Sequence, residues 1–329
     1  MRKNVAIIYG GNSSEHDVSI QSGKNVAANV DREKYNVYEV LLKGASWTVQ
    51  LHEQEGDTII PVEIDKTDFS FVYNGEKVNL ERAFIMIHGT PGENGLLQGY
   101  FEMIGIPFNT CSAFVSNIAF DKYSCKRFLD FAGVGIAKDY YLRRGTPYSS
   151  VDIIKEVGLP VFVKPTNGGS SFGVSKVKRE EELDAAIEEA FKENDAIMIE
   201  AAVSGREMTN GIYMKEGKIV KLPVTEIVTD REFFDYEAKY LGQSKEICPA
   251  PISEELTAKI QDVTEKIYKF MGCRGLVRMD YIVKGYDVFF LEMNMVPGMT
   301  KMSLVPAQVR AAGISMKEFF NTLIEESKC

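Results

Sequence analysis

The N-terminal third of the chain alternates short apolar runs with amphipathic stretches, and this alternation constrains the fold more than any other feature. Apolar runs at 4–9, 35–42 and 83–87 are typical of strands, whereas 17–29 and 96–104 have the spacing of helices. Strands that alternate with helices of this length form parallel sheets. The sequence therefore predicts an α/β fold whose ligand-binding loops gather at the carboxyl ends of the strands.

After residue 110 the pattern changes to shorter strands and further helices, with no flexible linker. A length of 329 residues corresponds to two domains of about 150 residues, or to three small lobes. The polar and aromatic stretch at 228–247 is too long for a turn and has the length of a lid, although its aromatic residues would equally serve to attach a loop to the body. The predicted elements are helices at 114–131, 180–193 and after Ser253, and strands at 161–164, 174–177, 196–200, 207–214 and 218–227.

The charge balance restricts the class of partner. Lys and Arg total 38 against 47 Asp and Glu, a formal charge of −9, and no dense basic block occurs. This balance argues against a protein whose main task is to bind nucleic acid or an anionic membrane, although a negative substrate can still bind locally. No apolar run approaches the roughly 18 residues of a spanning helix, and the first run is too short for a signal peptide, so we expect a cytoplasmic protein.

The distribution of cysteine and histidine argues against a zinc site. The five cysteines and three histidines are scattered, and no C-x-x-C pair occurs. We therefore expect reduced, mostly structural thiols. Any metal ligands must then be carboxylates.

The last third of the chain contains a hairpin pattern that brings carboxylates together. Two strand-like runs flank the turn at 284–287, and folding about its centre brings Asp280 close to opposite Glu292. Alternation then puts Arg278 and Asn294 on the same face. Oxygen ligands of this kind suit Mg²⁺. The alternative is a surface ion-pair cluster, which the strongly apolar flanking residues make less favourable.

Two glycine-rich loops have the composition of anion- or cation-binding sites. The loop at 167–173 follows Lys164 and exposes backbone N–H groups that can surround phosphate oxygens, although most such loops are plain connections. The loop at 10–16 precedes the first helix and places Glu15 where an ammonium group could bind. An ordinary first-turn acid that complements the helix dipole is the commoner explanation.

The segment at 294–306 is rigid and ends at a helix N-terminus. It contains two prolines directly after the proposed metal ligands, and a helix is predicted to start near Ser303. The backbone N–H groups there can bind a carboxylate, although a plain connection is equally consistent with the pattern.

Taken together and in this order, these segments resemble the D-alanine–D-alanine ligases of the ATP-grasp superfamily, from about Val5 to Pro306. The spacing of five motifs within one chain makes the resemblance specific. The motifs are Gly10-Gly11-x-Ser13-x-Glu15-His16-x-Val18-Ser19, His88-Gly89-x-x-Gly92-Glu93, Lys164-Pro165 with Gly169-Ser170-Ser171, Asp235-Tyr236-Glu237-Ala238-Lys239-Tyr240, and Glu292-x-Asn294-x-x-Pro297-Gly298-Met299-Thr300-x-x-Ser303-Leu304.

The resemblance implies an ATP-grasp fold of three lobes: an N-terminal Rossmann-like parallel-sheet domain at 1–110, a central subdomain at 111–200, and a C-terminal subdomain at 201–329 with a lid at 228–247. It implies ligation of two D-alanines through an acyl phosphate, with ATP as co-substrate, for peptidoglycan precursor synthesis. The implied metal is Mg²⁺, with Mn²⁺ as the alternative, and the implied assembly is a homodimer. Alternatives are a D-Ala–D-Lac or D-Ala–D-Ser ligase on the same fold, or a non-catalytic nucleotide-binding protein.

The functional residues of the family can be placed one by one on this sequence. Those implied for ATP are Lys122, Lys164, Gly169 and Ser171 around the phosphates, Glu200 and Val203 near the adenine, and Glu207 on the ribose. Those implied for the metal are Asp280, Glu292 and Asn294. Those implied for the first D-alanine are Glu15 on its ammonium group, Ser170 and Tyr240 bonded to Glu15, and His88 near its carboxylate. Those implied for the oxyanion and the second D-alanine are Arg278, the Gly298 N–H, Lys239, Ser303 and Leu304.

Four positions depart from the family pattern. Asn94 stands where Asp is usual, Phe234 where Tyr is common, Phe172 within the Gly/Ser loop, and Met295 in place of a small residue. These changes leave the implied catalytic set intact and bear on the shape of the lid and of the second-substrate pocket. Tyr240 favours D-alanine over D-lactate as the acceptor.

Overall fold

A computed structural model describes residues 2–52, 58–169, 172–229 and 244–329, apart from the side chains of His52 and Ser244. The strands described are β1 (Lys3–Gly10), β2 (Tyr35–Lys43), β3 (Ser46–His52), β4 (Ile59–Glu63), β5 (Ser70–Tyr73), β6 (Glu76–Asn79), β7 (Arg82–Ile85), β8 (Asp139–Arg143), β9 (Val161–Pro165), β10 (Ser175–Val177), β11 (Ala196–Ala201), β12 (Arg206–Lys215), β13 (Lys218–Lys221), β14 (Thr225–Thr229), β15 (Ser244–Ile247), β16 (Val277–Lys284) and β17 (Asp287–Asn294). The helices described are α1 (His16–Asn29), α2 (Leu96–Ile104), α3 (Ala113–Phe120), α4 (Lys122–Asp130), α5 (Ser150–Val157), α6 (Leu183–Glu193), α7 (Glu254–Met271), α8 (Leu304–Ala311) and α9 (Met316–Glu325), with a 3-10 turn at Glu180–Glu182 before α6.

The N-terminal sheet has the predicted parallel centre. Its strand order is β4-β3-β2-β1-β7, and β1 pairs in parallel with both β2 and β7. Helix α1 packs closely on β1 at Gly23, where an added Cβ would lie 2.4 Å from Cδ1 of Tyr9. The loops after β1 and β7 meet at one sheet edge, since Ser13 Oγ donates to the carbonyl of His88 at 2.7 Å. The α/β expectation is confirmed.

Beside a two-stranded sheet of β5 and β6, two larger antiparallel sheets form most of the rest of the described body. The first has the order β10-β9-β11-β8, and the second has the order β15-β14-β12-β16-β17, with β13 paired to β12. The first sheet has its own core with α5 and α6, which includes Val163, Ile187 and Ile199. The core of the second is continuous with that of the N-terminal sheet. Over the described part of the chain, no helix combines the length and the apolar character that crossing a bilayer requires.

Three predicted elements differ in their bounds from those observed. The helix predicted at 114–131 is interrupted at Asp121, which is extended and whose side chain accepts a hydrogen bond from Ser124 N at 2.7 Å, so that a second helix begins there. The strand predicted at 218–227 is divided because Pro223 lies between β13 and β14. Residues at both ends of the lid predicted at 228–247 belong to the paired strands β14 and β15, and the rest of that prediction, residues 230–243, lies outside the described residues.

The hairpin β16–β17 contains a bulge that determines which side chains face the cleft. Below the bulge, Lys284 pairs with Asp287 and Tyr281 with Phe290; above it, Asp280 pairs with Glu292 and Arg278 with Asn294. Leu291 is therefore an extra residue in β17. A regular register would have put Asp280 opposite Leu291, and the Glu292 side chain would have pointed to the opposite face.

Candidate active site

Two adjoining cavities lie where the three sheets meet. One, of about 520 Å³, is bounded by the loops after β1 and β7 and by the segment before α8. The other, of about 670 Å³, lies between the two antiparallel sheets. Lys122, Gly168, Gly169 and Glu292 line both cavities, so the two form one continuous cleft.

The predicted carboxylate cluster lies on the wall of this cleft. Arg278 donates from Nε to Asp280 Oδ1 at 3.0 Å and from Nη2 to Oδ2 at 2.8 Å, and Asn294 Nδ2 donates to Asp280 Oδ2 at 3.1 Å. Burial alone lowers the pKa of Arg278, but the charge and hydrogen bonds of Asp280 raise it overall, so the guanidinium stays charged. The alternative of an exposed ion-pair cluster does not hold, because Asp280 is only 5% exposed.

The donor atoms of this cluster fit a hard divalent cation. Asp280 and Glu292 are paired across the hairpin, and Asn294 supplies an amide oxygen two residues from Glu292. Lys122 Nζ lies 4.0 Å from Glu292 Oε2, at the junction of the two cavities. Mg²⁺ is commonly held by one or two carboxylates together with phosphate oxygens. Asp280 and Glu292 supply the carboxylates here, and Lys122 beside them is suited to bind phosphate.

Two lysines approach the glycine loop from different elements. Lys122 is the first residue of α4; its N–H donates to Thr166 O at 2.8 Å and its Nζ donates to Gly168 O at 2.7 Å. Lys164, on β9, is 7% exposed, and burial, followed by repulsion from Lys122, lowers its pKa to about 8. Both lysines line the larger cavity. The loop and the lysines together form a positive region suited to phosphate groups.

The other end of the larger cavity is suited to a flat aromatic group. Phe162 and Phe290 line it, as do Glu200, Val203 and Glu207, the three residues implied for the nucleoside. Apolar walls with a few polar groups are typical of ligand pockets. Within the described part of the chain, the structure therefore brings the residues implied for base, ribose and phosphates into one cavity.

Glu15 and the glycine loop meet across the junction between lobes. Both Glu15 and Gly169 line the smaller cavity, and an added Cβ at Gly169 would lie 2.7 Å from Oε2 of Glu15. A larger residue at Gly169 would displace the Glu15 carboxylate from its present position. The carboxylate of Glu15 lies in the cleft, where a ligand's ammonium group could reach it.

His88 is held by protein groups on both ring nitrogens. Nδ1 lies 2.8 Å from Val296 O and Nε2 lies 3.2 Å from Ser22 Oγ, which accepts from Met299 N at 3.1 Å. Burial lowers the pKa of His88, so the ring is neutral, and the carbonyl partner requires the proton on Nδ1. The network joins α1 to the segment before α8. The implied contact of His88 with a substrate carboxylate stays a prediction.

The segment before α8 supplies backbone groups to the smaller cavity. Gly298, Ser303 and Leu304 all line it, and Ser303 stands at the N-cap of α8 as predicted. Ser303 Oγ accepts from Thr300 N at 3.0 Å, and an added Cβ at Gly298 would lie 2.9 Å from that oxygen. The helix N-terminus can therefore bind a carboxylate in the cleft.

Two charged residues of this region, Glu93 and Lys126, have no role implied by the sequence. Glu93 lines the smaller cavity and accepts from Gly89 N at 2.8 Å and Val296 N at 3.2 Å; desolvation raises its pKa to about 7. Lys126 is fully buried and contacts Glu200. The sequence spacing could have identified Lys126, because it follows Lys122 by four residues and therefore lies on the same face of α4.

Of the remaining positions named from the sequence, three lie within the described residues and five lie outside them. Asn94 Nδ2 donates to Thr90 Oγ1, Phe172 is 45% exposed and lines the larger cavity, and Met295 is buried at 3%. Those outside the described residues are Ser170, Ser171, Phe234, Lys239 and Tyr240.

Comparison with known proteins agrees with this geometry. A family model described as D-ala D-ala ligase N-terminus matches residues 4–111, and one described as D-ala D-ala ligase C-terminus matches residues 132–325. The chain is 47% identical over 326 residues to a D-alanine–D-alanine ligase of Bacteroides fragilis, with 99% of each chain covered. It is 45% identical over 325 residues to that of Flavobacterium johnsoniae, again with 99% of each covered.

Solved structures share the architecture over nearly the whole chain. The VanG D-Ala:D-Ser ligase from Enterococcus faecalis is 30% identical with a TM-score of 0.86, and 99% of each chain is covered. The D-alanine–D-alanine ligase from Bacillus anthracis complexed with ATP is 27% identical with a TM-score of 0.78, covering 98% of this chain and 97% of that one. The fold is that of an ATP-grasp enzyme. Within that class, the chain belongs to the D-alanine–D-alanine ligase family.

Proposed function

We propose that this chain joins two D-alanines to D-alanyl-D-alanine, with ATP converted to ADP and phosphate, in the synthesis of peptidoglycan precursors. The observation that carries the proposal is the arrangement of Arg278, Asp280, Glu292 and Asn294 on one wall of a cleft that also contains the lysines of the glycine loop. Family membership supports the same reaction. Because ATP is the co-substrate, we also propose the cytoplasm as its location.

In the first half of the reaction, the carboxylate of one D-alanine would receive the γ-phosphoryl group. A carboxylate is a poor electrophile, so the acyl phosphate makes the later attack feasible. Lys122, Lys164, Gly169 and Ser171 would bind the phosphates, Glu200 and Val203 the adenine, and Glu207 the ribose. Mg²⁺ or Mn²⁺, held by Asp280, Glu292 and Asn294, would offset the phosphate charge.

In the second half, the neutral amine of the other D-alanine would attack the carbonyl carbon of the acyl phosphate. The C–N bond forms, the C–O bond to phosphate breaks, and inorganic phosphate and a proton are released. Glu15, with Ser170 and Tyr240, would hold the ammonium group of the first substrate, and His88 would lie near its carboxylate. Arg278 and the Gly298 N–H would stabilise the tetrahedral oxyanion. The second substrate's carboxylate would bind at Ser303 and Leu304, and Lys239 would approach it from the lid.

The decisive experiment is a measurement of phosphate release from ATP and Mg²⁺ with D-alanine, D-serine or D-lactate as the varied acceptor. We expect fastest turnover with D-alanine and recovery of the dipeptide. Faster turnover with D-serine, the acceptor named for the VanG ligase, or with D-lactate would overturn the acceptor assignment. No release with any of them would refute the catalytic proposal in favour of a non-catalytic nucleotide-binding protein.

The assembly and the lobe boundaries are part of the same proposal. Large apolar side chains are exposed on α2, on α3 and directly after α4: Met103 and Phe131 are each 86% exposed and Phe114 is 65% exposed. Such a surface supports a homodimer. Light scattering of Phe131→Glu would test it, because the substitution is expected to make the protein monomeric.

The lobe boundaries at 110/111 and 200/201 are supported by the three main sheets. Each sheet falls within one lobe, except for the last residue of β11.

A further inference from the structure

Lys126 is a fully buried lysine beneath the wall of the larger cavity. Its Nζ contacts Oε1 of Glu200, while Lys164 Nζ donates to Oε2 of the same carboxylate. Lys126 is 0% exposed. Among the described residues, the lining of the cavity includes Lys164 and Glu200 but not Lys126. One carboxylate is thus held by two ammonium groups, one on the cavity wall and one beneath it.

The charges around this carboxylate come from three elements. Helix α4 contributes Lys126 and Arg127, β9 contributes Lys164, and β8 contributes Asp139, which pairs with Glu200 in the sheet register. Arg127 Nη2 donates to Asp139 Oδ2 at 3.0 Å. Burial lowers the pKa of Lys126, repulsion from Lys164 lowers it further, and Asp139 opposes both. The ammonium form of Lys126 therefore depends on the carboxylates beside it.

Stability alone does not account for a charge in this position. A buried ion pair is often no more stabilising than apolar residues of similar volume, because desolvation offsets the attraction. The neighbours of Lys126 on the buried face of α4 are Cys125 and Leu129, so an apolar residue would suit the position. The chemical effect of Lys126 is on Glu200, which lines the cavity.

An ionised carboxylate can only accept hydrogen bonds, and its two oxygens have about four acceptor sites, so it can bind further donors besides the lysines. A purine with a 6-amino group offers a donor to such an acceptor. A 6-oxo purine offers an acceptor and would leave two acceptors facing each other in a buried site. A protonated Glu200 would lose this discrimination, since its O–H could donate to a 6-oxo group.

We propose that Lys126 is a positioning residue that determines nucleotide specificity: by contacting the Glu200 carboxylate and holding it in place as a hydrogen-bond acceptor, it makes the cavity favour 6-amino over 6-oxo purine nucleotides. The inference rests on the proposed function, because it takes the larger cavity as the nucleotide site.

The test compares kcat/KM for ATP and for inosine triphosphate, with Mg²⁺ and D-alanine, in the wild type and in Lys126→Met. We expect the ratio of the two values to fall by about tenfold or more in Lys126→Met, since one charge-assisted hydrogen bond contributes at least that factor. The change should arise mainly in KM. Lys126→Gln keeps a polar side chain without the charge and is expected to lower the ratio as well, so a poorly folded Met variant does not prevent the test.

A matched control separates this role from simple packing. Leu129→Ala, on the same buried face of α4 at 0% exposure, should lower the unfolding midpoint but leave the ATP-to-inosine-triphosphate ratio as in the wild type. An unchanged ratio in a folded Lys126→Met or Lys126→Gln protein overturns the inference while the ligase function stands. A ratio lowered equally by Leu129→Ala also overturns it. A wild type that turns over no ATP refutes the proposed function as well.

Discussion

Replacing Arg278 by Met should damage stability and turnover through two separable causes. The guanidinium makes two hydrogen bonds to Asp280, at 3.0 and 2.8 Å, and the two side chains are 13% and 7% exposed. Removing one partner of a buried pair leaves the other charge uncompensated, which costs about 3–5 kcal/mol of unfolding free energy. Loss of one oxyanion donor should lower kcat by about 10²–10³-fold.

The two causes can be separated with a second substitution. In Arg278→Met/Asp280→Asn no buried carboxylate is left unpaired, so urea unfolding should show most of the lost stability regained. Phosphate release with saturating ATP and D-alanine should stay as low as in the single mutant, because the oxyanion donor and a proposed metal ligand are both missing.

A control removes a similar ion pair far from the cleft. Arg179 donates from Nε and Nη2 to Glu182 at 2.8 and 2.6 Å, but its side chain is 67% exposed. Arg179→Met should leave stability and turnover unchanged within error, because exposed pairs contribute little. If Arg278→Met turned over ATP within about threefold of the wild type, the oxyanion role would be refuted.

Three further predictions concern the metal ligands, the phosphate site and a loop glycine. Glu292→Gln should lower Mg²⁺-dependent phosphate release by at least about 100-fold while circular dichroism shows a folded protein; near-normal activity would contradict the metal role. The KM for ATP should rise between about pH 7 and pH 9, because Lys164, with a pKa of about 8, loses the proton that phosphate binding needs as pH increases. In Lys164→Arg the KM for ATP should stay constant over this pH range, because the guanidinium keeps its proton. A rise of KM in this variant too would contradict the explanation. Gly11→Ala should destabilise by at least about 2 kcal/mol in thermal unfolding, since its φ is +89° and a Cβ would lie 2.4 Å from Ile87, whereas Gly44→Ala at φ +58°, with open space around it, should cost only about 1 kcal/mol. Equal losses would show that the contact with Ile87 is unimportant.

Apart from the bulge at Leu291, which sets the exact pairing of Asp280 with Glu292, local patterns in the sequence were enough to predict the parallel N-terminal sheet and the hairpin that brings these two carboxylates near each other. Both depend on alternation and on a turn, which are properties of neighbouring residues. Long-range contacts could not be predicted this way. The contact of Lys126 with Glu200 joins residues far apart in the chain, and the network of His88 depends on how the lobes dock. Asp121 was missed because the apolar spacing continues across it, although its capping side chain starts a new helix.

The bulge at Leu291 gives β17 two phases of alternation within eight residues. Val288 and Phe290 point into the core below it and Met293 above it, so the even positions are internal at one end and the odd positions at the other. Point substitutions can therefore alter the core or the cleft independently. Deletion of Leu291 would merge the two phases and leave Glu292 opposite Asp280, whereas insertion of one residue after Leu291 would send Glu292 inward and an apolar side chain into the cleft. Along this strand, the number of residues is under as strong a constraint as their identity.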